Sequence, residues 1–141
     1  MDNQSNNQSG VNVLFLGNNP AEMSDVYEQF HNYRFEDKKY HMEVSFDVKD
    51  SLKKLVKFDY DCILLSDTLN IKEIKRFLKV MRRKNRIKHL PITLLKTDNR
   101  FSVSNSGIYE FLLKSSLTPK RLSRAILRAM VSAKKYAQTR N

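Results

Sequence analysis

Val11-Asn-Val-Leu-Phe-Leu-Gly17, followed at once by Asn18-Asn19-Pro20-Ala21-Glu22, is the stretch on which the fold turns. The near-continuous apolar run suits a strand buried on both faces, which is how strands of a parallel sheet read. Gly17 closes it. Asn19 then offers an N-cap, Pro20 fits the first helical position and Glu22 places an acid at the third, so a helix begins within three residues of the strand's end. A buried strand running directly into a helix is the opening of a strand–helix–strand unit, and that unit makes the rest of the chain interpretable.

The pattern repeats outward. The first helix is expected from about Pro20 to Tyr33, with Met23, Val26, Tyr27 and Phe30 on one face. Tyr40–Phe46 alternates apolar and polar as a half-buried edge strand does. Asp47 can cap a second helix carrying Val48, Leu52, Leu55 and Val56 at helical spacing. Cys62–Leu65 reads as a central strand. Asn70 with Glu73 resembles a capping box for a third helix reaching about Asn85, with Ile71, Ile74, Phe77, Leu78 and Met81 inward. Pro91–Leu95 and Ile108–Leu113 supply two more strands, and Thr118-Pro119 opens a last helix to about Tyr136 that buries Leu122, Ile126, Ala129, Met130 and Ala133. The expected fold is α/β: a five-stranded parallel sheet in the flavodoxin-like order 2-1-3-4-5, with helices on both faces.

Length agrees with one domain, since 141 residues of which 40% are hydrophobic suffice for a single core. Residues 1–10, rich in Asn, Gln and Ser, are expected to form a disordered tail, residues 11–137 the domain and residues 138–141 a frayed end. No apolar run is long enough to span a membrane and the N-terminus lacks the layout of a secretory signal, so a cytoplasmic location is expected. The single cysteine, Cys62, lies in an apolar run and is expected in the core.

The order strand–turn–Asn-Pro–helix, Tyr60-Asp61 before an apolar run, Leu90-Pro91 before another, and an apolar run ending in Lys114 before a final helix resembles the receiver domain of response regulators over about residues 11–136. In that family an acidic pair ending the first strand and a phosphoacceptor aspartate ending the third hold Mg²⁺. A Thr or Ser ends the fourth strand and a lysine the fifth. The carboxylates neutralise the cation, the cation steadies the incoming phosphoryl oxygens, and the lysine pairs with them.

By this resemblance Gly17 and Asn18 stand where the acidic pair belongs, Ser66 at the acceptor position, Lys96 at the Thr/Ser position and Lys114 at the lysine, with Asp67 the nearest carboxylate to Ser66. The resemblance thus implies a degenerate pocket of about one positive charge, where a typical receiver has about two negative ones, and no Mg²⁺ is expected. Three readings of the pocket stand together. Ser66 is simply a small residue ending a strand, Ser66 or Asp67 is a residual acceptor, or Lys96 and Lys114 beside helix N-termini hold an anion. The step from Lys96 to Lys114 is too short for a full fourth helix of the family's kind, so that helix is expected to be one turn or absent. Phe101 and Tyr109 would then cover the exposed strands or meet a partner.

Charge is divided unequally. Residues 1–70 carry 7 Lys/Arg against 12 Asp/Glu, and residues 71–141 carry 19 against 3. Lys72, Arg76, Lys79 and Arg83 share a stripe on the third helix, while Arg121, Arg124 and Arg128 mark the last. Either these are solvated helix faces, or they meet an acidic partner, for which a protein is the first expectation and nonspecific nucleic acid the second. No motif for sequence-specific nucleic-acid binding, no metal-ligand spacing and no nucleophile–base arrangement is present, so an enzyme is not expected. The sequence therefore leads to a receiver-like adaptor acting without aspartate phosphorylation. A nucleic-acid accessory protein and a receiver still phosphorylated at Asp67 are the alternatives.

Overall fold

The computed structural model describes residues 9–98 and 107–139, and its element order follows the alternation of the sequence. The elements are β1 (Ser9–Leu16), α1 (Pro20–Phe30), β2 (Arg34–Phe35), β3 (Lys38–Ser45), α2 (Val48–Lys57), β4 (Cys62–Ser66), α3 (Ile71–Arg82), β5 (Ile92–Lys96), β6 (Ile108–Leu113), a 3₁₀ turn at Lys114–Ser116 and α4 (Pro119–Thr139). Three helices start at the caps read from sequence. Asn19 accepts from the Glu22 amide at 3.1 Å, Asp47 from Asp50 at 2.6 Å, and Asn70 and Glu73 cap each other reciprocally. Each side-chain cap satisfies an amide that the first turn leaves without a helical partner.

The sheet has six strands in the order β2-β3-β1-β4-β5-β6. The five parallel strands keep the expected 2-1-3-4-5 order, and the sixth corrects the count. β2 is a two-residue strand paired antiparallel to β3, so it takes the sheet edge that residues 40–46 were expected to occupy. A hairpin turn at Glu36, which has φ 55°, folds it back, and two residues are too few to show a period. β1 also begins two residues inside the expected tail, with Ser9 and Gly10 opposite Lys38 and Lys39, and α4 continues to Thr139, into the expected frayed end. The fourth-helix expectation and the placing of Phe101 concern residues 99–106, outside those described, as are residues 1–8 and 140–141.

The sheet separates two cores. On one face Leu14, Leu16, Ile63, Leu65, Ile92 and Leu94 pack with Leu55 of α2 and with Ile74, Phe77, Leu78 and Met81 of α3. On the other, Val13, Phe15, Tyr40, Met42, Cys62 and Leu64 pack with Met23, Val26 and Phe30 of α1 and with Leu122 and Ile126 of α4. Cys62 is fully buried, and burial pushes its thiol pKa up. Two residues assigned to inner faces are instead exposed, Val56 at 46% and Ile71 at 42%. Each lies in the terminal turn of its helix, and in α2 the small buried residue is Ser51, hydrogen-bonded to Ser45. Among the described residues no helix is long and apolar enough to cross a membrane.

Candidate functional site

Parallel strands that enter helices on either face leave a crevice at their carboxyl ends, where the chain reverses its direction of travel across the sheet. Here the ends of β1, β4, β5 and β6 deliver Gly17, Ser66, Thr97 and Lys114 to that crevice. Asp67 follows Ser66, its amide donating to the Leu95 carbonyl at 3.0 Å.

The centre of the site is an ammonium between two carboxylates. Lys114 Nζ lies 2.7 Å from Glu22 Oε2 and 2.8 Å from Asp67 Oδ1. Each carboxylate is held by a second partner. Ser66 Oγ donates to Glu22 Oε1 at 2.8 Å, while Asp67 accepts from the Thr97 amide at 2.6 Å and the Thr97 hydroxyl at 3.1 Å. Ser66 Oγ in turn accepts from the Thr68 amide and hydroxyl, and Thr68 Oγ1 accepts from the Asn18 amide at 2.9 Å. The side chain of Asp67 is 7% exposed and that of Lys114 19%.

Of the residues read from sequence, Asp67, Ser66 and Lys114 come together, with Gly17 beside them and Asn18 joined through its backbone. Lys96 does not join them. Its ammonium sits over the Phe111 ring, 4.6 Å from the centroid. Side chains alternate along a strand, so when Leu95 points into one core Lys96 leaves on the other face, and Thr97, one residue on, meets Asp67. The two lysines expected to share an anion are therefore not a pair.

The sequence marks Glu22 only as an acid suited to the first turn of a helix, yet it supplies the second carboxylate. This corrects the pocket charge. Two carboxylates and one ammonium leave one net negative charge, not one positive. The signal available was topological: the first turn of a helix following a parallel strand stands at the crevice. Among the described residues no group of three or more His, Cys, Asp or Glu is placed to hold a metal ion.

Burial by itself raises the Asp67 pKa, but the Lys114 ammonium and the Thr97 donors outweigh it and hold the carboxyl below its ordinary range. Burial likewise lowers Lys114, and Asp67 and Glu22 outweigh it to leave the amine raised. The signs give two limbs. Asp67 contributes fully above the ordinary aspartate pKa of about 3.9, and its contribution is lost as pH falls through the lowered value. Lys114 contributes fully below about 10.4, and its contribution is lost as pH rises through the raised value. Between these limits neither group changes charge, and Asp67→Asn should make the acid limb of a melting-temperature profile shallower. An acid limb as steep in the variant as in the parent would remove Asp67 from it.

The basic residues lie elsewhere. Lys72, Arg76 and Lys79 are exposed on α3 and Arg83 at its C-cap, and Arg121, Arg124 and Arg128 are exposed on α4, on the opposite face of the sheet. Arg128 pairs with Glu110 at 3.3 Å, and Arg124 lies 6.0 Å from the Phe35 ring centroid.

No protein-family model matches the chain, and no curated protein matches it by sequence. Solved structures match it in shape. The chemotaxis protein CheY4 of Vibrio cholerae, crystallized at low pH, has a TM-score of 0.70 at 20% identity, over 86% of this chain and 99% of that one. The receiver domain of the sensor histidine kinase PA1611 of Pseudomonas aeruginosa, with a magnesium ion coordinated in its active-site cleft, has 0.68 at 17% over 86% and 98%. A sensor protein from Polaromonas sp. JS666 has 0.70 at 13% over 87% and 98%. At these identities the likeness speaks for architecture alone: the chain has the fold of a response-regulator receiver domain.

Proposed function

We propose that this chain is a receiver-fold signalling module of two-component ancestry that acts as a protein-interaction adaptor, not as an enzyme, and without taking up a phosphoryl group on an aspartate. The observation that carries this reading is the position of Lys114 Nζ, within 2.8 Å of both Glu22 and Asp67. An ammonium between the two carboxylates does by internal charge what a divalent cation does in a phosphorylated receiver. Mg²⁺ prefers an octahedron of oxygens at about 2.0–2.1 Å, and two carboxylates already committed to a lysine, Ser66 and Thr97 fit that poorly. The residue at the acceptor position is Ser66, whose hydroxyl is buried and engaged with Glu22 and Thr68.

A second reading has one observation in its favour. Asp67 faces both a threonine and a lysine, the company a phosphoacceptor keeps, with Asp67 and Thr97 each displaced by one residue. The two are separated by incubating the protein with acetyl phosphate and Mg²⁺ and measuring its intact mass. No added phosphoryl group is expected. A gain of one group that disappears in Asp67→Ala, or in Ser66→Ala, would overturn the adaptor reading.

A further inference from the structure

The outward side of α3 is a line of cations with little inside the molecule to balance it. Lys72, Arg76, Lys79 and Arg83 are exposed and spaced at i, i+4, i+7 and i+11, a line of about 16 Å at the helical rise. Among the described residues none of the four makes an ion pair. The one acid of α3, Glu73, is committed to the N-terminal capping box. Like charges a turn apart repel, so the stripe costs helix stability that its own fold does not return. The basic residues of α4 differ, since Arg128 has Glu110 and Arg124 has the Phe35 ring.

Three residues past the stripe's last cation, Arg86 reaches apolar surface. Val56 and Phe58, at the close of α2, are 46% and 49% exposed. Arg86 binds that turn to the segment following α3, donating to the Val56 carbonyl at 2.9 Å and to Asp59 at 2.7 Å. Leu55 of α2 and Ile74 and Phe77 of α3 share one core, so both surfaces ride on a common support. Lys57 stands over the Phe58 ring at 5.4 Å, which sets a further cation at the apolar pair.

We propose that the α3 stripe and the Val56–Phe58 turn form one docking surface for an acidic amphipathic protein segment, with carboxylates along the stripe and apolar side chains on Val56 and Phe58. This rests on the adaptor reading above and supplies its partner chemistry. Exposed apolar side chains joined through Arg86 to the segment that follows the stripe favour a protein over a phosphate backbone, because nonspecific nucleic-acid affinity comes from charge, whereas protein interfaces have an apolar core in which Phe and Arg are enriched.

The test uses the full chain and three probes: a synthetic helical peptide with Glu at i, i+4 beside two Leu, a double-stranded oligonucleotide, and phosphatidylserine vesicles. Fluorescence anisotropy, or co-sedimentation for the vesicles, reads binding. The peptide should bind most tightly. Arg76→Glu with Lys79→Glu and Arg83→Glu should weaken it by about tenfold or more, and Val56→Ser with Phe58→Ser by about tenfold at raised salt. Arg121→Glu with Arg124→Glu should leave it within about twofold. Tighter binding of oligonucleotide or vesicle, indifference to the apolar pair, or an equal loss on α4 would each overturn the proposal. Circular dichroism of every variant checks folding. Phosphoryl uptake in the acetyl phosphate experiment with peptide binding intact would sink the adaptor reading alone, and an unmodified protein that fails to bind would sink this one alone.

Discussion

Lys114→Met should lower the stability of the domain by about 2–3 kcal/mol, or about 10 °C in melting temperature for a domain of this size. Methionine keeps most of the side chain's volume, so the loss is electrostatic. Without the ammonium, Glu22 and Asp67 face one position with no cation, and Asp67 has only 7% of its side chain in water. Removing one partner of a buried ion pair costs about 3–5 kcal/mol, and the 19–24% exposure of Lys114 and Glu22 moves the expectation below that range. A double-mutant cycle isolates the cause. In Asp67→Asn the second substitution, Lys114→Met, should cost about 1 kcal/mol or less, because only one carboxylate then needs neutralising. The variant's pH dependence in acid should also differ from the parent's. The parent loses stability only below about pH 3.9, as Asp67 is protonated through its lowered pKa, whereas Lys114→Met should gain stability as pH falls toward that value, because its Asp67 carboxylate has lost the ammonium that held its pKa down. Chemical denaturation across that range would show it, and equal costs of Lys114→Met in both backgrounds would mean that the lysine acts through packing.

How much of this was legible in the sequence depends on whether the information is local. Strands β1, β4 and β5 announce themselves as apolar runs, and the helix starts as cap residues three positions from an acid. Asn19, Asp47 and Asn70 all cap as their spacing implies. β2 could not be seen, because its existence rests on a backbone turn at Glu36 and on its pairing with Lys38 and Lys39. The site was legible in half. Asp67 and Lys114 follow from strand ends, but Glu22 lies 44 positions from Ser66, and only the packing of α1 over the crevice joins them. The placing of Lys96 at the Thr/Ser position failed for a sharper reason. At the end of a strand an error of one residue exchanges the faces of the sheet, and sequence alone does not say where alternation stops. The charge of the pocket carried both errors, adding a lysine that points away and omitting a glutamate that points in.

Placing an acid at the end of the first strand, where the receiver domains this chain resembles carry one, should damage this protein. Gly17→Asp is expected to cost about 3 kcal/mol or more, and the reason lies in the space around the glycine, which is buried. A Cβ built there would stand 3.0 Å from Met23 Sδ and 3.2 Å from Ser66 Cβ. Met23 is fully buried in the α1 core and has little room to retreat, and Ser66 is fixed both by β4 and by its bonds to Glu22 and Thr68. Overpacking of this kind costs about 1–3 kcal/mol for the added carbon alone, which Gly17→Ala measures. The carboxylate adds a third negative charge beside Glu22 and Asp67 with one lysine to serve them all. Met23→Ala in the Gly17→Ala background should cost less than the about 2–5 kcal/mol expected for a buried methionine truncated alone, because it also relieves the contact. Asn18→Asp provides the contrast. Its side chain is exposed and its site contact is through the backbone amide, so it should change stability by no more than about 0.5 kcal/mol. If Gly17→Asp and Asn18→Asp were equally mild in denaturant titrations, the glycine would not be required by packing. If Gly17→Asp alone unfolds the domain, the close approach of β1, Met23 and β4 is what keeps an acid out of this position.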